Sequence, residues 1–306
     1  MPRSGHPWLA LGIAVTAIST AAVLVRLASS VEPIAAAFWR TLGVGILLLP
    51  GIVRFHRSGG RWSRSDLLRT MAAGLLLSLH FWVWFESISR ITVLRSTLLV
   101  CLTPIWAGLL EWKWHGLRPT NRFWVGIGIT LIGVWVMTGM DTGVSLGLGE
   151  TLAILGGMLA GVYILVGRVV RQRIDIDAYG SLLCLFSAAW LAIPASILGT
   201  PLRGFHQTDW WILAGMALGP QLLGHMGLNY AVRYLPAAIV SSVVLLEPVG
   251  AAILGAIIPA ISEIPDQAAI TGALLTLIGV YWATRPIQPK PVPSAIQSHH
   301  QSTDGQ

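Results

Sequence analysis

Of 306 residues, 54% are hydrophobic and only 11% charged, with a mean hydropathy of +0.70, whereas a soluble domain carries roughly 25% charged residues. That balance excludes a water-soluble globular protein. The formal net charge of +7 does not mark a nucleic-acid binder either, because the Lys and Arg residues sit in short loops between apolar runs, the pattern that sets orientation in a bilayer.

Apolar stretches recur along the chain near 8–28, 34–53, 69–88, 92–112, 121–140, 149–169, 178–198, 210–232, 236–257 and 266–284, each about long enough to cross a hydrocarbon core of roughly 30 Å. The first follows a basic start, as a signal peptide would. Its apolar core of about 18 residues lacks a clear small-residue cleavage site, so it is expected to remain as a span. All ten are expected to be helices, because a backbone in lipid must satisfy its own hydrogen bonds and these runs are too long and too unalternating for barrel strands.

Cys101 and Cys184 each fall within one of these runs, away from any disulfide or metal-ligand spacing, and read as small core residues. Trp8, Trp62, Trp112, Trp114, Trp210, Trp211 and Trp282 fall near span ends and suit an interface belt. Residues 286–306 are rich in Pro, Gln and Ser and read as a disordered tail. His299 and His300 within it are expected to be solvated rather than metal-bound.

Alternate loops differ in charge. Arg54, Arg57, Arg61, Arg64 and Arg69, then Lys113, Arg118 and Arg122, then Arg168, Arg171 and Arg173 share one side with Arg3, Arg233, Arg285 and Lys290. Arg26, Arg40, Arg90, Arg95 and Arg203 fall on the other or at its helix ends. This bias places both termini in the cytoplasm of a multi-pass protein of the cell membrane.

The chain also repeats itself. "GIGITLIGVWV" in the fifth span and "GALLTLIGVYW" in the tenth share TLIGV, with Gly126 and Gly133 matching Gly272 and Gly279 at an offset of 146 residues. Thr103-Pro104 in the fourth span matches Glu247-Pro248 in the ninth at an offset of 144. Five spans per unit is an odd number, so the second unit enters the membrane inverted, a mark of many secondary transporters whose substrate sits near the midplane between halves. The expected fold is therefore an all-α integral membrane protein of ten transmembrane helices in two inverted five-helix repeats, 8–140 and 149–284.

On "FWRTL" at 38–42, "LHFWVWFESI" at 79–88 leading into "LLVCLTPIWAGLL", and "GHMGLNYAVRYLPAAIVSSVVLLEPVGAAIL" at 224–254 followed by Glu263, the chain resembles the EamA-like branch of the drug/metabolite transporter superfamily over roughly residues 8–284. The resemblance implies a central cavity lined by the first four helices of each half, with the fifth and tenth peripheral. Members often carry a Glu after the fourth span of each half. Glu263 matches in the second half, while "WHGLRP" in the first has none.

An ionisable group at the centre of a span costs about 2.5 to 3.5 kcal/mol on insertion scales, which singles out Glu247. The adjacent Pro248 removes an amide hydrogen and frees the carbonyl region around Val244, so carboxylate and carbonyl can face one cavity as a cation or proton site; a buried, purely structural Glu is the alternative. Gln221, His225 and Asn229, four residues apart, form a polar stripe on the eighth span, facing water or ligand or bonding between helices. Gly219-Pro220 just before the stripe marks a break or bend. His80 and Trp84, extending toward Ser87, form the counterpart face. Either imidazole is a proton carrier or a packing partner.

Glu86 lies four residues before Arg90, in the favourable order for an ion pair. Arg40 has three readings: it snorkels outward, pairs with Glu86, or holds an anionic substrate group. Ser96, Val100, Thr103 and Ala107 form a small, mildly polar face. Trp84, Trp106 and Tyr230 are the deeper aromatic candidates for a cavity wall. Pro104, Pro220 and Pro248 are the expected kinks. Gly215 and Gly219 allow close packing within the chain or in a homodimer.

No phosphate-binding loop, zinc motif or catalytic triad occurs in the sequence, which disfavours an ATP-driven pump or a membrane enzyme. The expectation is a secondary transporter, an exporter of a small organic metabolite, using no cofactor, with proton coupling through Glu247 as a further step. A channel or a non-transporting scaffold is the alternative.

Overall fold

A computed structural model describes residues 6–116, 118–137, 147–261, 264 and 266–284. Arg3, Glu263, Arg285, Lys290, the tail at 286–306 and its His299 and His300 lie outside the described residues. Within them the chain is all-helical, with no strand.

In chain order the helices are α1 (Pro7–Leu27), α2 (Pro33–Arg57), α3 (Arg64–Arg90) and α4 (Val93–Trp114); α5 (Asn121–Met137); α6 (Leu148–Arg171) and α7 (Ile176–Leu198); α8 (207–231); α9 (Ala237–Ile257); and α10 (Gln267–Thr284). Seven of these, α1 to α4, α6, α7 and α9, are long and apolar enough to cross a membrane. Ends fall within a few residues of the apolar runs, with α3 the main departure. It starts at Arg64 because Ser63 and Asp66 form a capping box, with Asp66 N donating to Ser63 Oγ at 3.0 Å and Ser63 N to the Asp66 carboxylate at 3.4 Å. Hydropathy does not register such a polar first turn.

Two of the expected kinks take the same form. In α4 a turn at Cys101–Leu102 separates Val93–Val100 from Thr103–His115, and Pro104 lies in the first turn of the new segment. In α9 a tight turn at Val244–Leu246 precedes Glu247–Ile257, with Pro248 likewise placed. A proline there loses nothing, since a first-turn amide has no helical acceptor. The two breaks touch: the Cys101 thiol donates to the Val244 carbonyl at 3.7 Å. Cys101 is thus more than core filling, because it partners a carbonyl in the α9 break.

At Pro220, where a break or bend is expected, the helix is not interrupted but distorted. Residues Ala217–His225 widen into π-helical turns, so that Met226 N–H donates five residues back to Gln221 O. Shifting the donor register spares the clash with the carbonyl four residues before the proline. The Gly215 and Gly219 positions face Leu24 and Thr20 of α1, inside the chain.

The repeated glycines have a specific use. α5 and α10 pack backbone to backbone, running antiparallel: a Cβ on Gly126 would stand 2.7 Å from Gly279 O, and one on Gly133 2.6 Å from Gly272 O. Thr130 and Thr276, on the shared TLIGV motif, fold their hydroxyls back onto Gly126 O and Gly272 O, each at 2.9 Å. Val125, Ile132, Ile270, Leu274 and Tyr281 on this pair are exposed. The main packing partners elsewhere are α3 with α6, α2 with α7, α4 with α6, and α1 with α8.

Trp8, Trp112, Trp114, Trp210, Trp211 and Trp282 are exposed. Trp62 is half-buried; its ring packs against Phe55, centroids 5.9 Å apart, with its indole nitrogen buried.

Candidate functional site: a closed central cavity

The polar residues converge at the centre of the helix assembly. A cavity of about 30 Å³ is lined by Ile18 of α1, His80 and Trp84 of α3, Val100 and Thr103 of α4, Ala160, Tyr163 and Ile164 of α6, His225 and Leu228 of α8, and Val244 and Glu247 of α9. Neither α5 nor α10 contributes. This space admits about one water molecule at its centre, against the roughly 300 to 1,000 Å³ of a pocket for an organic ligand, so the cavity is narrow there.

The α9 break explains why Glu247 is there. Its carboxyl group heads the fresh helical segment, is 3% exposed, and has Oε1 buried with no hydrogen-bond partner among the described residues. On the facing side, Thr103 Oγ1 donates to Val100 O at 2.8 Å and to Gly157 O at 3.1 Å, which fixes the α4 break against α6.

Both imidazoles are held. His80 Nδ1 meets Gly156 O at 2.9 Å; a carbonyl only accepts, so Nδ1 carries a hydrogen. The His80 ring stacks on Trp84, centroids 5.8 Å apart, and lies 5.9 Å from the His225 ring. Asn229 Nδ2 donates to Tyr163 Oη at 3.0 Å and to His225 O at 2.8 Å. Tyr163 Oη, already accepting there, lies 3.0 Å from His225 Nδ1. The phenol has one hydrogen and two acceptor sites, so the hydrogen of this bond comes from whichever of the two partners carries it.

Arg40 of α2 is fully buried, which rules out snorkelling, and Glu86 is not its partner. Its Nε donates to Gln221 Oε1 at 2.9 Å, its guanidinium carbon lies 4.1 Å from the Phe81 ring centroid, and Nη1 and Nη2 have no hydrogen-bond partner. The Phe81 ring in turn lies 4.9 Å from that of His225. Gln221 Nε2 donates to Cys184 Sγ at 3.4 Å. The sequence stripe therefore divides: Gln221 serves Arg40, whereas His225 lines the cavity and Asn229 braces Tyr163.

Some expected members lie elsewhere. Ser87 bonds Ser96 Oγ at 2.8 Å, joining α3 to α4 away from the cavity. Tyr230 lines a separate lateral groove of about 390 Å³ with Ala10, Ile13 and Leu222, and Trp106 is not among the cavity-lining residues. Glu86 pairs with Arg90 at 2.7 Å, as its spacing predicts.

Tyr163 and Glu111 were missed. Tyr163 is a lone phenol on α6; the signal was the stripe Gly156, Gly157, Ala160 and Gly161 beside it, small residues that let another helix approach. Glu111 stands near the end of α4. It is 2% exposed, pairs with Arg168 of α6, and accepts from Ala237 N and Ala238 N, both at 3.1 Å, at the start of α9. A carboxylate suits a helix N-terminus, where amides lack acceptors and the dipole favours negative charge. At the other end of α4, Arg95 Nε lies 3.1 Å from Glu150 Oε1 of α6. Charged pairs thus join α4 to α6 at both ends, with the cavity between them.

The EamA-like transporter family matches this chain twice, over residues 4–139 and 147–285. The chain belongs to that family. A Bacillus subtilis (strain 168) protein described as the uncharacterized transporter YwfM is 26% identical over 265 residues, 82% of this chain and 84% of that protein. A solved crystal structure superposes with a TM-score of 0.72 at 19% identity, covering 91% of this chain and 96% of that one, a likeness of fold. As an EamA-like transporter, the chain is a multi-pass membrane protein of a transporter family.

Proposed function

We propose that this EamA-like transporter is a secondary carrier that exports a small organic metabolite by alternating access, coupled to protons through Glu247. It would act from the cell membrane with both termini cytoplasmic, its ten helices forming inverted repeats at 8–140 and 149–284 around the cavity. The antiparallel α5 and α10, joined through repeated glycines and threonines, support the inverted arrangement, as does the double family match.

The observation that carries the reading is the cavity itself. It buries a carboxylate and two imidazoles at the centre, is too small for an organic molecule, and lies between charged pairs at both ends of the α4 and α6 contact. A carrier binds its solute at such a buried central site between its halves and opens one end at a time. Glu247, Gln221, His225, Asn229, His80, Trp84, Arg40 and Thr103 are the residues assigned to substrate and coupling, with Pro104 and Pro248 as the points where α4 and α9 flex.

Glu247→Gln in proteoliposomes tests the coupling. Flux driven by a pH gradient should be lost while substrate exchange persists, because the amide keeps the shape and cannot release a proton. Unchanged gradient-driven flux rejects the proton step. Counterflow tests the carrier: stimulation of uptake by substrate inside the vesicle is expected of a carrier, and flux indifferent to internal substrate indicates a channel. Comparing metabolites retained by cells with and without the protein tests the direction.

A further inference from the structure

The lateral groove of about 390 Å³ runs between α1, α2, α7 and α8 and shares no lining residue with the central cavity. Its length is apolar, walled by Ile13 of α1, Leu48 of α2 and Leu222, Leu223 and Met226 of α8. Ile13 is 48% and Leu223 51% exposed, so the groove opens sideways, on the surface that meets lipid tails. The hollow exists because the residues at its floor are small. Ala10 of α1 and Gly227 of α8 meet there, and a Cβ on Gly227 would stand 3.3 Å from Ala10 O. From Leu222 to Tyr230 the groove follows α8 for roughly 12 Å at the rise of an α-helix, close to the roughly 15 Å of one leaflet's share of the hydrocarbon core.

One end of the groove is polar. Asp177 of α7 and Tyr230 of α8 line it there, and the Tyr234 ring lies 5.2 Å from that of Tyr230. Tyrosines of this kind suit the boundary between tails and headgroups. Arg54, near the end of α2, donates from Nη2 to Asp177 Oδ2 at 2.5 Å. Its side chain is 72% exposed, and Nε and Nη1 are free among the described residues. The neighbouring Asp175 is paired with Arg233 at 3.4 Å. Both acids at this rim therefore have an arginine, and the exposed Arg57 in the last turn of α2 leaves the rim with surplus positive charge.

An apolar slot one leaflet long, ending at a basic rim, matches an amphiphile with a hydrocarbon tail and an anionic head. A free phosphate has no use for the slot. A zwitterionic lipid fills it but brings its ammonium group to the positive rim. Basic pockets between spanning helices select anionic headgroups. We propose that the groove binds an anionic phospholipid, one acyl chain lying along α8 from Tyr230 to Leu222 and the phosphate against the free donors of Arg54. The site does not depend on the carrier reading, because it touches no residue of the central cavity.

The test is native mass spectrometry of the full chain in detergent, titrated with dioleoyl phosphatidylglycerol or with dioleoyl phosphatidylethanolamine. The wild type should hold phosphatidylglycerol several-fold more tightly. Arg54→Gln should weaken phosphatidylglycerol about fivefold and phosphatidylethanolamine less. Asp177→Asn should do the opposite, strengthening phosphatidylglycerol about 1.5- to 5-fold, since it releases Arg54 from an exposed ion pair. A purely structural ion pair would instead lower the melting temperature of both variants and leave lipid binding unchanged. Ala10→Phe fills the hollow from a half-buried position and should remove both lipids while the protein stays folded.

Equal affinity for the two lipids overturns the anionic headgroup. Glycerophosphoglycerol, the same headgroup without tails, should not bind; if it binds as well as the lipid, the groove plays no part. Phosphatidylglycerol binding that survives both Arg54→Gln and Ala10→Phe belongs elsewhere on the surface and overturns the site. A dimer that Ala10→Phe dissociates, with no lipid bound to the monomer, makes the groove a contact between copies and overturns it equally.

Discussion

Replacing Glu111 by Gln isolates one end of the proposed transport cycle. The Glu111 carboxylate gathers three donors, the Arg168 guanidinium and the Ala237 and Ala238 amides, and ties α4 to α6 and to the start of α9. Gln offers one oxygen, and its NH2 group must face a donor. Losing a hydrogen bond to a charged group is worth about 1.5 to 3 kcal/mol, and the helix-end interaction adds up to about 1 kcal/mol. Arg168, whose side chain is 21% exposed, recovers part of this from water, leaving a net loss of about 2 to 3 kcal/mol. If the contact exists only while this end is shut, that loss falls on the closed state, and the population open at this end rises about 30- to 140-fold at 1.4 kcal/mol per tenfold. The readout is alkylation of a cysteine placed at Ala160, a cavity-lining position 6% exposed, in a background with Cys101 and Cys184 replaced by Ser. A membrane-impermeant maleimide applied from the α4 C-terminal side should react faster by up to that factor. A lowered melting temperature with an unchanged alkylation rate would refute the gate and leave Glu111 as a structural cap.

Three further outcomes follow from the same geometry. Arg95→Gln breaks the pair with Glu150 at the opposite end; because Arg95 is 34% exposed, a contribution of at most about 1 kcal/mol is lost, and the same maleimide applied from that side should react up to about fivefold faster. Gly133→Leu should lower the melting temperature, since its Cβ would meet Gly272 O at 2.6 Å and overpacking costs about 1 to 3 kcal/mol; Gly128→Leu, with nothing within 4 Å of its Cβ, should leave it unchanged, and equal effects would reject the α5–α10 packing. Tyr163→Phe removes the hydroxyl shared by Asn229 and His225 and should destabilise the protein by about 1 to 3 kcal/mol in denaturant titration, more than Tyr230→Phe at the lateral groove.

The sequence by itself determined that this is a helical membrane protein, where its spans run to within a few residues, and that it repeats internally. These are properties of local hydropathy and of residue identity at fixed offsets, and lipid enforces them segment by segment because each backbone must satisfy itself. It also flagged Glu247, His225 and His80, since an ionisable side chain in an apolar run is conspicuous wherever it points. Pro248 and Pro104 were legible as breaks for the same local reason, and the shared TLIGV motif exposed the relation between α5 and α10 before any contact was known.

What only the tertiary structure decided was partnership. Arg40 had three readings in sequence because its environment comes from α3 and α8, distant in the chain; packing placed it over Phe81 and against Gln221 and left its outer edge open. Pro220 read as a break or bend, and the helix there widens into π-helical turns instead of ending, an outcome set by the donor register of the surrounding helix. Tyr163 and Glu111 carried little signal, since a phenol among apolar residues and a charge at a span end are both ordinary until the residues they meet are known. Hydropathy reports each side chain's preference for lipid or water one residue at a time, whereas a cavity, an ion pair across two helices and a guanidinium held by a distant Gln are relations between helices that only close packing creates.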